Sequence, residues 1–344
     1  MRSVDVAVVG CGVMGAAAGA ALARRGREVL VLERFEVGHR HGSSHGRARI
    51  FRLSYDEPRY VRMATEALDL WRALEARQGT ELLIRTGGLD AGDQVPANVA
   101  ALRACGVPHE LLDPEEARFR FDVSFEPGTR RVLHQADAAT VRAERAVLAF
   151  TEELRAGGGE LRERTRVVAL HPGAAYCDLE TEEERIRARV VVVAAGAWAR
   201  SLLAPAGLDI PTTVTRETVA FFPLAPDYRP PALLEWSAPP RYALLDPAGT
   251  LKAAEHHAGP VVDPDAGTAE PDPGALRRLS AWVRERFPRA APEPVEAETC
   301  LYTNTPDESF ILERRGSVVI GSPCSGHGFK FAPLIGERLA DLAG

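Results

Sequence analysis

The sequence predicts a mixed α/β (α+β) fold with two domains, one built around a parallel sheet and one around an antiparallel sheet. Two observations support the parallel sheet: residues 4–33 read as strand, helix and strand, and the continuously apolar run Arg189–Gly196 is typical of a central buried strand. A third observation supports the antiparallel sheet, because residues 212–257 alternate apolar and polar side chains between many prolines. A chain of 344 residues exceeds the size of one ordinary core, so two domains are expected.

The N-terminal residues form a complete βαβ pattern. Val4–Val9 predicts a buried strand, Met14–Arg25 an alanine-rich helix and Glu28–Leu32 a second strand. Glycines between strand and helix permit a tight turn and close approach of a pyrophosphate, and an acid after the second strand is placed to accept ribose hydroxyls. The pattern therefore predicts a Rossmann-like dinucleotide site with the candidate residues Gly10, Gly12, Val13, Met14, Gly15 and Glu33.

The later elements continue this organisation. They are an amphipathic helix over Glu57–Arg77, a strand over Leu82–Leu89 broken at Gly87 and Gly88, a helix over Ala139–Ala156, a strand over Arg166–Leu170 leading into a hairpin at 172–184, a loop over Pro260–Pro273, a helix over Leu276–Phe287, a strand over Ser317–Gly321 and a helix over Pro333–Leu342. Because the run at 189–196 belongs in the first sheet, the nucleotide-binding domain is discontinuous. We expect it to comprise 1–90, 139–210 and 300–344, and the substrate domain to comprise 91–138 and 211–299.

The composition excludes several classes of protein. A hydrophobic fraction of 45% and a charged fraction of 26% are those of an ordinary globular protein, and a net charge of −6 gives no reason to bind nucleic acid or anionic lipid. Residues 4–23 are mostly apolar, but Asp5 and the glycines fit the βαβ pattern and not a membrane span. The five cysteines are scattered without metal-ligand spacing. We therefore expect a reduced, cytoplasmic protein with no metal site, no nucleic-acid partner and no membrane contact.

A basic segment at 42–52 is the first candidate outside the glycine turn. Arg49 and Arg52 lie three residues apart, so on a helical turn they share one face and can hold a carboxylate. A solvated basic loop explains the same residues, and their spacing alone does not decide between the two readings.

Three further features have both a functional and a structural interpretation. Lys252 is an isolated lysine of the kind that usually lies at the surface, and Cys300 on an apolar strand has the environment of an inert core thiol. In Gly326–Lys330, two glycines flank His327 just before a helix, which permits the backbone to pass close to a ligand. Lys330 can then pair with an anionic group of that ligand.

At four segments the sequence resembles the family of monomeric sarcosine oxidase and N-methyltryptophan oxidase, within the wider glycine and D-amino acid oxidase group of FAD enzymes. The likeness extends over most of the chain and is most specific at His45–Arg52, Ala194–Trp198, Cys300–Glu308 and Ser325–Phe331. The chain departs from the family at Cys324, which adds a second thiol near the cofactor.

The resemblance implies a cofactor and a substrate clamp. The family's FAD is attached through an 8α-S-cysteinyl thioether, which falls on Cys300 here. The residues that hold the substrate carboxylate fall on Arg52 and Lys330. Such a clamp orients an amino acid for oxidation at its C–N bond.

The resemblance also implies the remaining site residues. Arg49 falls beside the flavin, Lys252 on the oxygen-activating lysine, His256 and His45 on active-site histidines, and Tyr242 on a pocket aromatic. Cations beside a flavin stabilise negative charge that develops during reduction of the flavin and of oxygen. The other implied FAD-binding residues are Arg34, Ser43, Ser44, Val167, Gly196, Trp198, Gly326, His327, Gly328, Phe329 and Lys330.

The reaction implied is that of a FAD-dependent amine oxidoreductase acting as a monomer. A secondary amino acid, either N-methylated or a cyclic imino acid, is oxidised to an imine, and O2 is reduced to H2O2. The strand over 241–247 is less aromatic than its family counterpart, so the sequence leaves the substrate open. Three alternatives also remain: a dehydrogenase of the same fold with a quinone or protein acceptor, a non-enzymatic flavin-bearing subunit, and a nicotinamide-only dehydrogenase.

Overall fold

The computed structural model describes residues 1–267 and 269–344 and confirms the mixed α/β fold. Its strands are β1 (Arg2–Val9), β2 (Val29–Leu32), β3 (Ala48–Phe51), β4 (Leu83–Arg85), β5 (Gly88–Gly92), β6 (Glu110–Leu112), β7 (Val132–Gln135), β8 (Ala139–Arg142), β9 (Glu160–Arg162), β10 (Val167–Pro172), β11 (Cys177–Thr181), β12 (Arg185–Val193), β13 (Thr213–Pro223), β14 (Ala232–Trp236), β15 (Arg241–Leu245), β16 (Thr250–Glu255), β17 (Glu296–Asn304), β18 (Ile311–Arg315) and β19 (Val318–Ser322). Its α-helices are α1 (Val13–Arg24), α2 (Pro58–Gln78), α3 (Val95–Ala104), α4 (Pro114–Phe121), α5 (Ala143–Ala156), α6 (Ala199–Leu203), α7 (Pro273–Arg286) and α8 (Ala332–Ala343).

The first sheet has a parallel centre. Its strand order is β10-β11-β12-β1-β2-β9, and β19 pairs with the C-terminal half of β12. The strands β2, β1, β12 and β19 run parallel, and their valine-rich segments are buried on both faces. Helices α1, α5 and α8 pack on one face, and α6 contributes to the core on the other. The predicted βαβ unit is therefore present, and the central strand predicted over 189–196 is observed as β12, which begins at Arg185 and ends at Val193.

The second sheet is mainly antiparallel, with the order β17-β13-β16-β15-β14-β5-β7-β6. One pair, β5 with β14, is parallel. Helix α7 covers one face, where Leu279 and Trp282 of the helix and Phe287, directly after it, are buried. The opposite face carries Cys300 and Tyr302, and this face is turned toward the cavity described below.

A buried ionic network fastens α7 to this sheet. Glu235 on β14 accepts hydrogen bonds from Arg286 Nε at 2.7 Å and Trp282 Nε1 at 2.6 Å. Both members of the ion pair are buried. Because a buried charge depends on its partner, this contact fixes the helix on the sheet.

Among the described residues no helix is long and apolar enough to span a membrane.

A small third sheet, β3-β8-β4, corrects two predictions and explains a third. Residues 48–51 form a strand and not a helical turn, so Arg49 and Arg52 do not share a helix face. The helix was predicted to begin at Ala139, but the observed helix α5 begins at Ala143. Residues 139–142 form strand β8 instead, because they pair with β3 and β4. The break predicted at Gly87 and Gly88 in the strand over Leu82–Leu89 is confirmed: Gly87 has φ 73°, and the two parts, β4 and β5, lie in different sheets.

Candidate active site

The glycine turn after β1 is shaped by two close backbone approaches. Gly10 has φ 96°, and a Cβ placed there would lie 2.7 Å from the carbonyl oxygen of Ala194 on the neighbouring strand. A Cβ on Gly15 would lie 1.9 Å from the carbonyl oxygen of Gly10. Only glycine fits at both positions, so the chain enters α1 with the positive end of the helix facing the turn. The hydroxyl of Ser44 accepts a hydrogen bond from the Val13 N–H at 3.0 Å.

Glu33 lies buried at the end of β2, beside the turn. Its carboxylate accepts the backbone N–H groups of Cys11 at 2.6 Å and Phe35 at 2.9 Å. The side chain therefore fixes the segment after β2 to the glycine turn, in the place where the fingerprint requires an acid.

Asp265 is a residue that sequence analysis missed at this end of the site. Its carboxylate accepts hydrogen bonds from Arg34 at 2.7 Å and from the indole N–H of Trp198 at 2.9 Å. Arg34 also stacks over the rings of Phe35 and Trp198. Asp265 lies in a segment predicted only as a loop, where a single acid carries no local signal.

One cavity of about 560 Å³ brings the predicted residues together. It runs along the glycine turn, β2, the segment 42–52, β15, β16, β17 and the turn before α8. Every predicted site residue except Gly15 lines it. Gly15 lies behind the turn, where its role is the close contact with Gly10.

Arg49 and Lys252 meet at one backbone carbonyl. Arg49 Nη1 and Lys252 Nζ both donate to the oxygen of Ala48, at 2.8 and 3.0 Å. Arg49 Nη2 also donates to the carbonyls of Ser43 and His45, each at 2.7 Å. Burial and the nearby guanidinium lower the pKa of Lys252 to about 7. The interpretation of Lys252 as a surface lysine, which the sequence left open, is therefore wrong.

Cys300 lies on β17 opposite Glu217 of β13 and is buried at the cavity wall. Burial raises the pKa of its thiol, and the charges of Arg49 and Lys252 act in the opposite direction. Glu298, two residues earlier on the same strand, places a carboxylate oxygen 3.9 Å from Lys252 Nζ. The thiol thus shares its surroundings with a titrating amine.

His45 is a neutral member of this group. A ring nitrogen, Nε2, lies 3.2 Å from the carbonyl oxygen of Thr299. Burial, with the charges of Arg49 and Lys252, lowers the pKa of His45 to about 3. Its Nδ1 atom is buried without a hydrogen-bond partner in the described parts of the chain.

A second cationic pair, Arg52 and Lys330, flanks the ring of Tyr55. The Arg52 guanidinium carbon lies 4.0 Å from the ring centroid and Lys330 Nζ lies 5.6 Å from it. Lys330 Nζ donates to the carbonyl of His327 at 2.8 Å, and burial with the Arg52 charge lowers the pKa of Lys330. Arg52 Nη1 is buried with no partner among residues 1–267 and 269–344. Unsatisfied cationic donors of this kind are suited to an anion.

Asp90 and Trp236 support this pair and were also missed. The Trp236 ring centroid lies 5.2 Å from the Arg52 guanidinium carbon, and its indole N–H donates to Asp90 at 2.8 Å. Asp90 is buried on β5, and this burial raises the pKa of its carboxyl group. Arg52 is thus held between two aromatic rings, one of which is fixed by a carboxylate.

Aromatic and imidazole rings complete the cavity beside Arg52 and Lys330. His256 Nδ1 lies 3.4 Å from the hydroxyl of Tyr302, and burial with the neighbouring His257 lowers the pKa of His256. A Cβ on Gly326 would lie 2.3 Å from the Tyr302 ring, so the turn before α8 passes directly over that ring. Burial raises the pKa of Tyr242, which also lines the cavity.

The rarity of lysine in the sequence distinguishes Lys252 and Lys330. Of 42 Lys and Arg residues in the chain, only Lys252 and Lys330 are lysines. Both are buried in this cavity, each 3% exposed. Lysine differs from arginine because its amine deprotonates readily when buried and carries a compact charge. The restriction of lysine to the cavity indicates that an amine, and not a guanidinium group, is needed at these two positions.

Three features of the cavity fit FAD. Its glycine turn leaves no room for a Cβ but leaves backbone and helix end facing the space, as a pyrophosphate requires. Glu33 lies where ribose hydroxyls are bound in such folds. Arg52 Nη1 and His45 Nδ1 are buried without a hydrogen-bond partner in the described structure, and both residues line the cavity together with Cys300.

The chain belongs to the family of FAD dependent oxidoreductases, whose sequence profile matches residues 5–342. It is a FAD-dependent amine oxidoreductase of the sarcosine oxidase type. It is 34% identical over 359 residues to the peroxisomal sarcosine oxidase of Homo sapiens, which covers 98% of this chain and 92% of the relative. It is 32% identical to the monomeric sarcosine oxidase of Streptomyces avermitilis, with 98% and 93% covered. Among solved structures, NikD, described as an unusual amino acid oxidase essential for nikkomycin biosynthesis, has a TM-score of 0.90 and 29% identity, covering 100% of this chain and 94% of NikD.

Proposed function

We propose that this chain oxidises the C–N bond of a secondary amino acid to an imine and reduces O2 to hydrogen peroxide. The substrate is an N-methyl amino acid or a cyclic imino acid. One observation carries the proposal: the only two lysines of the chain are buried in the same cavity, each beside an arginine. Bound FAD would supply the redox chemistry by accepting two electrons from the amine and passing them on.

Arg52 and Lys330 bind the substrate carboxylate in this proposal. Their unshared N–H groups lie against one tyrosine ring, in a space from which bulk water is largely excluded. A carboxylate held there receives charge-assisted hydrogen bonds from two cations and cannot rotate away from the site. Asp90 and Trp236 keep the Arg52 guanidinium in place before the substrate arrives.

Lys252 and Arg49 supply positive charge near Cys300. Since the pKa of Lys252 is about 7, this amine is partly protonated at neutral pH, whereas Arg49 carries a permanent charge. Together they favour negative charge that develops on oxygen as it is reduced. His256 and His45 remain neutral because burial lowers the pKa of each, so they hydrogen-bond without adding charge.

We further propose that Cys300 carries the FAD covalently. The thiol is buried at the cavity wall, and the neighbouring cations favour its thiolate form against the effect of burial. Two other thiols line the cavity, Cys11 and Cys324. Burial raises the pKa of Cys324 to about 11, and burial together with the charge of Glu33 raises the pKa of Cys11. Cys300 has two cations beside it, Arg49 and Lys252, which favours it as the nucleophile of the three.

Anaerobic mixing with a panel of secondary amino acids tests the function. Loss of the yellow flavin absorbance, followed by its return and by peroxide on admitting air, supports an oxidase. Absorbance that returns only with a quinone or protein acceptor would instead identify a dehydrogenase of the same fold. If no secondary amino acid bleaches the flavin, the proposed substrate class is wrong.

Lys252→Met tests the oxygen half of the proposal separately. We expect the rate of flavin reoxidation by O2 to fall much more than the rate of flavin reduction by the amine. Rapid-mixing absorbance measurements resolve the two half-reactions. Equal effects on both would remove Lys252 from a role specific to oxygen.

We also propose a cellular setting, an oligomeric state and a division into domains. The scattered free cysteines favour a reducing, cytoplasmic setting, and relatives named as monomeric favour a monomer, which light scattering tests. The division into a FAD-binding domain over 1–90, 139–210 and 300–344 and a substrate domain over the remainder also stays a prediction.

A further inference from the structure

Three side chains of types that can ligate a metal ion lie close together, and one of them, His256, lines the cavity. His256 and His257 follow the end of β16, and Glu308 lies in the turn between β17 and β18. Each offers one donor atom, and the three atoms lie within 4.8 Å of one another. Of these atoms, His257 Nε2 and Glu308 Oε1 are 3.6 Å apart. The segments joined are 51 or more positions apart in sequence, so the fold itself creates the cluster.

The spacing agrees with tetrahedral coordination. Bonds of about 2.0–2.2 Å to zinc place neighbouring ligand atoms roughly 3.3–3.6 Å apart. The observed His257–Glu308 separation of 3.6 Å already matches this value. The ligand atom of His256 lies within 4.8 Å of the other two, a separation that ion binding would shorten. A direct hydrogen bond between His257 and Glu308 is not made at 3.6 Å.

One of the three donor atoms is also free of other partners. His257 Nε2 is buried and has no hydrogen-bond partner in the described structure. The backbone at His257 and Glu308 is in the left-handed region, with φ 54° and 57°, which is uncommon for residues other than glycine. Conformations of this kind persist where the surroundings fix them. The two imidazole rings lie with centroids 4.1 Å apart.

We propose that a zinc-type divalent ion binds to His256, His257 and Glu308 and inhibits the enzyme. Two imidazoles and one carboxylate suit zinc, whereas calcium and magnesium need mainly oxygen ligands. Water completes the coordination. The regulatory part of this inference depends on the proposed function, because it requires that the amine binds beside His256.

The inhibition follows from the position of His256. This ring lines the cavity and touches Tyr302, next to the turn at Gly326. An ion bound to the ring holds it toward Glu308 and places charge and water at the entrance to the space beside the Arg52 and Lys330 clamp. Zinc therefore competes with the amine and raises KM, with a smaller effect on kcat.

Calorimetric titration of the purified holoenzyme with zinc chloride tests the site without any turnover. We expect one ion per chain. In His257→Gln and in Glu308→Gln, we expect the affinity for zinc to fall by about tenfold or more. Glu308 is exposed, so its variant is expected to fold even if the histidine variant does not. His171→Gln is the matched control, because His171 forms an exposed pair with Glu180 at 3.2 Å outside the cluster. Its zinc binding should equal that of the unaltered enzyme.

Cobalt(II) in place of zinc gives a second readout, since tetrahedral cobalt absorbs at longer wavelengths than oxidised flavin. Absence of saturable binding, or binding that is unchanged in both cluster variants, would overturn the site. If zinc binds through these residues and leaves KM unchanged, the regulatory role is wrong. Should no amine be oxidised at all, calorimetry still decides on the metal site, so the two proposals fail independently.

Discussion

Replacement of Lys330 by methionine is the most direct test of the carboxylate clamp. The substitution removes the ammonium group and keeps an unbranched side chain that is shorter only by the charged atom. Lys330 Nζ has the carbonyl of His327 as its hydrogen-bond acceptor at 2.8 Å, and the side chain is 3% exposed, so water competes little for its other N–H groups. One charge-assisted hydrogen bond contributes about 1.5–3 kcal/mol, which corresponds to roughly a 10- to 150-fold increase in Kd for a bound carboxylate.

The assay is a titration of flavin absorbance with a substrate-sized carboxylate that lacks an oxidisable C–N bond. Two controls accompany it. Lys252→Met removes the other buried amine from the same cavity and should leave this Kd nearly unchanged. The primary amide of the same ligand carries no charge, so it should bind the Lys330→Met enzyme and the unaltered enzyme alike. Equal carboxylate affinity in both enzymes would show that Lys330 does not hold the substrate.

Three other predictions follow from buried groups. Cys300→Ser should release its flavin on acid precipitation, whereas flavin in the pellet of that variant would place the linkage elsewhere. Because the Lys252 cation is lost as pH rises through about 7, reoxidation by O2 should slow over that range; Glu298→Gln, which removes a charge that raises this pKa, should move the midpoint to lower pH, and an unmoved midpoint would contradict the pairing. Arg286→Met leaves Glu235 without its cation and should cost about 3–5 kcal/mol of unfolding free energy; urea denaturation measures this, and a loss below 1 kcal/mol would refute it.

Local patterns predicted the nucleotide-binding half well. The βαβ unit is encoded within about thirty consecutive residues, where strand, glycine turn, helix and acid all reinforce one another. The strand now called β12 was equally clear because a continuous run of valines has few alternatives to a central strand. In both cases the signal lies within the element itself.

Tertiary pairing decided the parts that the sequence did not predict. Ala139–Arg142 has a helical pattern when read with the residues that follow, but it pairs with β3 and β4 and becomes a strand. Asp90 and Trp236 meet across 146 positions, so neither residue shows its role locally. Arg52 was recognised by resemblance, yet its support by these two side chains emerges only from the parallel pairing of β5 with β14.

The confinement of lysine to the cavity has a practical consequence for handling the protein. Amine-directed reagents normally attach at many surface lysines, but here both lysine side chains are buried. Such reagents should therefore leave both lysine side chains unmodified while the protein is folded. Unfolding exposes both amines at once, so modification of lysine reports loss of the fold and not a reaction at the surface.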